Sequence, residues 1–153
     1  KLLVLVPRYP DRVHEILNLL KDFEVKVYSK GETPDVKTDI FVVDSIGELG
    51  LWYKASEVAF IGGTFSNVEG KNPWEALHLD CVITFGPRHL KFKDDFKLLK
   101  KLKLAHQINS SQELFKILSR KDQIPVSNGV KELKTKLKKD LNSLTDELLY
   151  LIK

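Results

Sequence analysis

Short strand-like apolar runs alternating with segments of helical periodicity constrain this chain more than any other feature. The runs fall at residues 2–6, 24–28, 40–43, 57–61, 82–85 and 104–107. Between them, apolar residues recur at helical spacing over 11–21, where Val13, Ile16, Leu17 and Leu20 share one stripe, and over 46–55, 73–79 and 94–101. Runs of four or five residues are strand lengths rather than helix lengths. Strands separated by helices return in the same direction, so the alternation predicts βαβ units in an α/β, Rossmann-like, doubly wound parallel sheet. Residues 2–6 are continuously apolar, which suits a strand buried on both faces. The polar stretch 29–38 reads as a loop. From Val130 onward, Leu133, Leu137, Leu141, Leu144, Leu148 and Leu151 recur at spacings of three and four. This predicts a long C-terminal helix whose stripe lies on its own sheet, because the flanking charges do not follow a coiled-coil pattern.

Loops at the carboxyl ends of parallel strands are where such sheets bind ligands. The stretch from Ile61 to Glu75 joins a strand to a helix through Gly62, Gly63 and a polar loop. The two glycines permit backbone conformations closed to other residues and let a ligand approach the main chain. Asn72, Pro73 and Glu75 are placed as N-cap, N1 and N3 of the next helix. Two readings stay open. Asn-Pro-x-Glu is a sound helix cap with nothing bound, and the same helix start, with unpaired N–H groups and a positive dipole end, also suits a phosphate or sugar carboxylate. Eight residues, 64–71, separate the glycines from the cap, a length more usual in functional or mobile loops.

Two further strand ends carry polar turns. Pro7 and Arg8 follow the first strand, and a guanidinium there can grip a phosphate through two hydrogen bonds. Ser45, Ile46, Gly47, Glu48 and Leu49 follow the third, with Ser45 and Glu48 spaced as a capping box and Gly47 opening room near the backbone. Single arginines are usually surface residues, and prolines also shape turns, so the first turn has a structural reading as well. The segment Phe85-Gly86-Pro87-Arg88-His89 follows the fifth strand, with His89 expected as a solvent-exposed loop residue. No zinc-ligand spacing, Walker loop, carboxylate pair or Ser-His-Asp set is recognisable. The three turns together suit a nucleotide or anion cradle rather than a complete catalytic site.

With 153 residues, of which 42% are hydrophobic and 30% charged, the chain can build one core, and a single domain over 1–153 is expected. One cysteine, Cys81, excludes an internal disulfide framework and fits a reducing, cytoplasmic compartment. No run is long enough to span a membrane, and the first apolar run is too short for a signal peptide. The absence of methionine, including at position 1, suggests a domain cut from a longer protein. The net charge of +4 is unevenly spread, with Lys91, Lys93, Lys97, Lys100, Lys101 and Lys103 in one segment and Lys131, Lys134, Lys136, Lys138 and Lys139 in another. Such lysines are ordinarily solvated helix faces, the alternative being an anionic membrane surface. Four arginines and no aromatic-basic module argue against nucleic acid.

Taken in order, Val6-Pro7-Arg8-Tyr9-Pro10-Asp11-Arg12, the segment from Asp44 to Tyr53, Ala59-Phe60-Ile61-Gly62-Gly63, Gly70-Lys71-Asn72-Pro73-Trp74-Glu75 and Phe85-Gly86-Pro87 resemble the C-terminal half of bacterial 3-deoxy-D-manno-octulosonic acid (Kdo) transferases, up to about Leu99. The resemblance implies one Rossmann-like half of a GT-B glycosyltransferase, the half that holds the sugar nucleotide. It implies transfer of Kdo from CMP-Kdo to a lipid A precursor, in lipopolysaccharide synthesis at the cytoplasmic face of the inner membrane. No cofactor or metal is implied beyond that substrate. Pro7 and Arg8 match the pair that meets CMP. Ile46, Gly47, Glu48 and Leu49 match the helix start beside the nucleotide, with Ile46 where methionine is common. Gly62, Gly63, Asn72 and Glu75 fall in the donor loop, where Lys71 replaces a usual histidine and Ala76 a frequent proline. The general base and acceptor pocket are expected in an N-terminal half, leaving no catalytic residue in this chain. Other GT-B donors such as UDP-sugars, or a non-catalytic nucleotide-binding module, are the alternative.

Overall fold

The computed structural model describes residues 1–119 and positions 135, 139, 142 and 143. The expected helix over 130–151 and the second lysine segment lie outside the described residues except at those positions. The chain divides into two compact units, Lys1–Trp52 and Tyr53–Lys153.

Unit 1 carries three short parallel strands, β1 (Leu3–Leu5), β2 (Val25–Val27) and β3 (Ile40–Val42), in the order β1-β3-β2. A 3-10 turn at Pro10–Arg12 opens α1 (Val13–Leu19), because Pro10 has its φ set for a helix and lacks only an N–H that would have no partner there. Register pairs Leu5 and Val27 with Val42. Hence β3 is the central strand, and Ile40, Phe41, Val42 and Val43 are buried. Phe41 receives Trp52 at 5.2 Å and Tyr28 at 6.3 Å between ring centroids, both edge-on. The expectation for residues 2–6 is corrected here. β1 is an edge strand of its sheet and Leu3 is 55% exposed, so continuous apolarity did not mean burial on both faces.

The loop at 29–38 is held by charge rather than by apolar packing. Lys26 Nζ donates to the Thr33 carbonyl at 2.9 Å and to Asp35 at 2.8 Å, while the Lys37 N–H donates to the same carboxylate at 2.9 Å. The Lys26 hydrogen bond first, then the Lys37 N–H and the Thr38 hydroxyl, bring the Asp35 pKa down to about 2. An unfolded aspartate titrates near ~3.9, so this group stabilises the fold above that pH and the contribution is lost as pH falls towards about 2. Asp35→Asn is therefore predicted to flatten the loss of stability between roughly pH 4 and 2 in urea titrations. An unchanged pH slope would show that the carboxylate is not tied down in this way.

Unit 2 contains β4 (Val58–Ile61), α3 (Trp74–His78), β5 (Val82–Phe85), α4 (Lys93–Lys101), β6 (Ala105–Gln107) and α5 (Ser111–Ser119), with parallel strand order β4-β5-β6. Its core joins Ala59, Ile61, Leu77, Ile83, Phe85, Phe96 and Leu99, all buried, with Phe85 and Phe96 stacked 4.2 Å apart. Here periodicity and structure agree closely: the expected strand Val82–Phe85 is reproduced and α4 begins one residue early. α5 was not anticipated, although its signal is present. The Glu113 N–H donates to the Ser110 hydroxyl at 3.3 Å, and the Glu113 carboxylate accepts the Asn109 N–H at 2.7 Å, a variant of the capping box. α2 (Leu49–Ala55) begins three residues later than the periodicity suggested, at Leu49 rather than 46.

Candidate functional site

In each unit the strands run parallel, so the turns that follow neighbouring strands leave from one edge of the sheet. In unit 1 these are the turns after β1 and β3. Pro7 is half-buried, and Arg8 is exposed with its guanidinium 5.9 Å from the Tyr9 ring centroid. After β3, Asp44 is fixed by Ser29, whose N–H and hydroxyl donate to its two oxygens at 2.9 and 2.6 Å. Burial alone would raise the Asp44 pKa, but these hydrogen bonds outweigh it and the carboxyl lies below its ordinary value. Ser45 Oγ is buried with no hydrogen-bond partner among the described residues.

The Ser45–Glu48 capping box is not formed. Gly47 sits at φ +97°, outside helical space, so Ile46, Gly47 and Glu48 form a bend. The Glu48 carbonyl starts α2 instead, accepting the N–H groups of Leu51 at 3.0 Å and Trp52 at 3.3 Å, and Leu49 is the first helical residue. Ile46, 88% exposed, projects from this bend. The surroundings of Gly47 are empty to a Cβ, so the glycine is required by its backbone angle and not by crowding.

In unit 2 the turns after β4 and β5 are tied together by one residue that the sequence did not single out. Thr64 is fully buried. Its hydroxyl donates to the Ile61 carbonyl at 2.8 Å and accepts the Gly86 N–H at 2.7 Å, while its own carbonyl accepts the Arg88 N–H at 2.8 Å. A Cβ on Gly86 would stand 2.5 Å from the Thr64 carbonyl oxygen, so only glycine fits. Gly70, at φ +81°, packs on the Thr64 methyl, which a Cβ there would meet at 2.9 Å. An Arg88–Asn67 hydrogen bond closes the same pair of loops from outside. Gly62 is exposed with open space around it, whereas Gly63, at φ +81°, turns the chain against Val68.

The loop then delivers α3. Asn72 Oδ1 accepts the Trp74 N–H at 3.0 Å, so its side chain caps as expected. By backbone bonding the helix begins one residue late, at Trp74, because the first i to i−4 bond runs from Leu77 to the Pro73 carbonyl. Trp74 Nε1 donates to Asp95 at 2.7 Å and anchors this turn to α4. Glu75 is exposed, and among the described residues no N–H returns to its carboxylate, so only the Asn72 half of the box is made. Burial, with Glu75 and Cys81 adding to it, pushes the Tyr53 pKa up to about 12.

His89 corrects another expectation. It is half-buried, its ring edge-on to Phe85 at 4.9 Å and to Phe96 at 5.2 Å, with Nδ1 3.2 Å from the Gly86 carbonyl. The aromatic pair beneath it, absent from local sequence spacing, makes it a packing residue. Cys81 is buried, its thiol 2.9 Å from the Tyr53 carbonyl, and burial raises its pKa to about 11, so it is held as an unreactive thiol. Among the described residues no group of three or more His, Cys, Asp or Glu could hold a metal ion, and no helix is long and apolar enough to cross a membrane.

This arrangement of parallel strands, crossover helices and polar turns on the carboxyl edges defines a Rossmann-like domain of the GT-B glycosyltransferase kind. No family model matches the chain. It is similar to the 3-deoxy-D-manno-octulosonic acid transferase of Rickettsia bellii, 34% identical over 134 residues, which is 86% of this chain and 31% of that protein. The transferase of the same name from Rickettsia typhi is 32% identical over 158 residues, 99% of this chain and 34% of its own length. The Haemophilus influenzae transferase is 34% identical over 73% of this chain and 27% of its own length. A solved structure, the C-terminal CMP-Kdo binding domain of WaaA from Acinetobacter baumannii, superposes with a TM-score of 0.77 at 25% identity, covering 88% of this chain and 72% of that one. By sequence and fold, the chain is similar to the C-terminal domain of the Kdo transferases, and it spans about a third of the length of the Rickettsia relatives.

Thr64→Val is predicted to orphan two buried polar groups, costing about 1–3 kcal/mol for each, whereas Thr64→Ser keeps both hydrogen bonds and should lose only about 1 kcal/mol with the methyl. Urea unfolding of the two variants checks this. A Thr64→Val variant as stable as the parent, with Thr64→Ser the weaker of the two, would assign the role of Thr64 to its methyl alone.

Proposed function

We propose that this domain binds the CMP-Kdo donor of a Kdo transferase and presents it for transfer of Kdo to a lipid A precursor in lipopolysaccharide synthesis. The observation that carries the reading is the superposition, over 88% of the chain, on a domain described as CMP-Kdo binding. The 34% identity to a Kdo transferase points the same way. Transfer forms a bond from an acceptor hydroxyl oxygen to the anomeric carbon of Kdo and breaks the bond from that carbon to the phosphate, releasing CMP. The hydroxyl proton passes to a base. In this reading the base and acceptor pocket belong to the part of the relatives' length that this chain does not span, so the domain itself contributes no catalytic residue. The enzyme works at the cytoplasmic face of the bacterial inner membrane, and its only small-molecule partner here is the donor, with no metal or further cofactor.

The chain's own residues suit donor binding. Arg8 is exposed at the end of β1 and forms no ion pair among the described residues, so its guanidinium is available to the departing phosphate. The bend at Ile46, Gly47 and Glu48, with Leu49 opening α2, offers open backbone and an unpaired Ser45 hydroxyl beside it. Gly62 leaves room for close approach, Gly63 turns the chain against Val68, and Pro7 shapes the turn before Arg8. Asn72 is committed to its cap, but Glu75 has no such duty, which favours its carboxylate as an acceptor for donor hydroxyls.

Because the Glu75 half of the capping box is not made, Glu75→Gln is predicted to change stability by less than about 0.5 kcal/mol. Its loss of charge-assisted bonds should lower CMP affinity at least about fivefold in calorimetry on the intact enzyme, corresponding to roughly 1–3 kcal/mol. Arg8→Ala should also weaken CMP at unchanged melting temperature. The 153-residue chain itself should bind CMP weakly, in preference to UMP, and transfer no Kdo. Unchanged CMP affinity in both variants, or equal binding of UMP, would refute the assignment.

A further inference from the structure

Between the turn after β5, α4 and the carboxyl end of β6, a groove of unit 2 has a chemistry of its own. It has a volume of about 250 Å³ and is lined by His89, Lys93, Lys97, Lys100 and Gln107. Lys93, Lys97 and Lys100 stand at i, i+4 and i+7 on one face of α4, and Phe96 and Leu99 on another face are fully buried. The apolar face pins the helix, so the lysines are held outward in register. Lys100 Nζ donates to Gln107 Oε1 at 3.1 Å, which draws it to the groove wall. None of the three lysines forms an ion pair among the described residues, and no carboxylate lines the groove. Asp94 lies farther round the helix, outside the lining. Lys101, also exposed, extends the basic stripe, whereas Leu98 and Leu102 lie on the flank of the helix turned away from the groove.

We propose that this groove docks the phosphates of an anionic lipid bilayer. Ammonium groups gathered without counter-charges select a polyanion, and the three lysines fit phosphate as point charges. A bilayer is favoured over a nucleic acid because the groove has no arginine and no exposed aromatic platform on which bases could stack. The chain is thereby oriented with α4 towards the membrane, a property independent of which donor it binds.

The test is co-sedimentation of the full chain with phosphatidylcholine vesicles, with and without about 30% phosphatidylglycerol, at low salt. Each well-placed lysine is worth roughly fivefold in partitioning before screening. The triple variant Lys93→Gln, Lys97→Gln, Lys100→Gln should lose at least about tenfold of its binding to anionic vesicles. A control with Lys30→Gln, Lys37→Gln and Lys54→Gln has the same net charge and replaces three lysines outside the groove, so it should lose less than about threefold. Inorganic phosphate at low millimolar concentration should not displace the chain. Equal losses in the two triples, absence of binding, or binding equal on neutral vesicles would overturn the proposal. So would displacement by phosphate, which would make the groove a soluble-phosphate site. No arm contains donor or acceptor, so its failure leaves the CMP reading untouched.

Discussion

The Thr64 hydroxyl is the point on which the candidate donor loop depends. A buried hydroxyl must be satisfied, and here it is satisfied twice, by the carbonyl at the end of β4 and the N–H at the end of β5. That pair of bonds stitches two crossover loops to one another at the sheet edge. It also explains why the neighbouring positions are glycine: Gly86 has to pass under the Thr64 carbonyl and Gly70 over its methyl. With the loop's base fixed, its outer part, Gly62 and the α3 entry, can face solvent without the chain losing register.

Much of this was legible from residues, and the failures have physical causes. Alternating apolar runs placed the six strands among the described residues to within two residues at either end, because a parallel strand's hydrophobicity is local information. The Asn72 cap was legible for the same reason, being a bond between residues two apart. Thr64 was not, since its partner Gly86 lies 22 residues away and threonine in a polar loop carries no mark of burial. His89 was misjudged because the Phe85–Phe96 stack beneath it forms only on folding. The Ser45–Glu48 spacing satisfied a capping rule that Gly47 then broke through its backbone angle. Of the two residues, Asn72 makes its half of the cap and Glu75 makes no such bond.

The polar inventory separates structural groups from available ones. Asp44 is engaged by Ser29, Asp95 by Trp74, and the Cys81 thiol is held against carbonyls with its pKa raised to about 11. Glu75, Arg8 and the bend at 46–48 are left facing solvent at or beside the carboxyl ends of strands. In the donor-binding role proposed above, these uncommitted groups at each unit's strand ends would meet a leaving phosphate and a sugar, and proton transfer would be supplied elsewhere.

Amide-resolved NMR titration of the full chain with CMP tests this account most directly. Saturable shifts are predicted at Arg8, at Ile46 to Leu49, and at Gly62, Gly63 and Glu75, with the Gly86 and Arg88 amides, locked by Thr64, moving little. Shifts confined to other surfaces, or no saturable response to CMP at any of these amides, would contradict it.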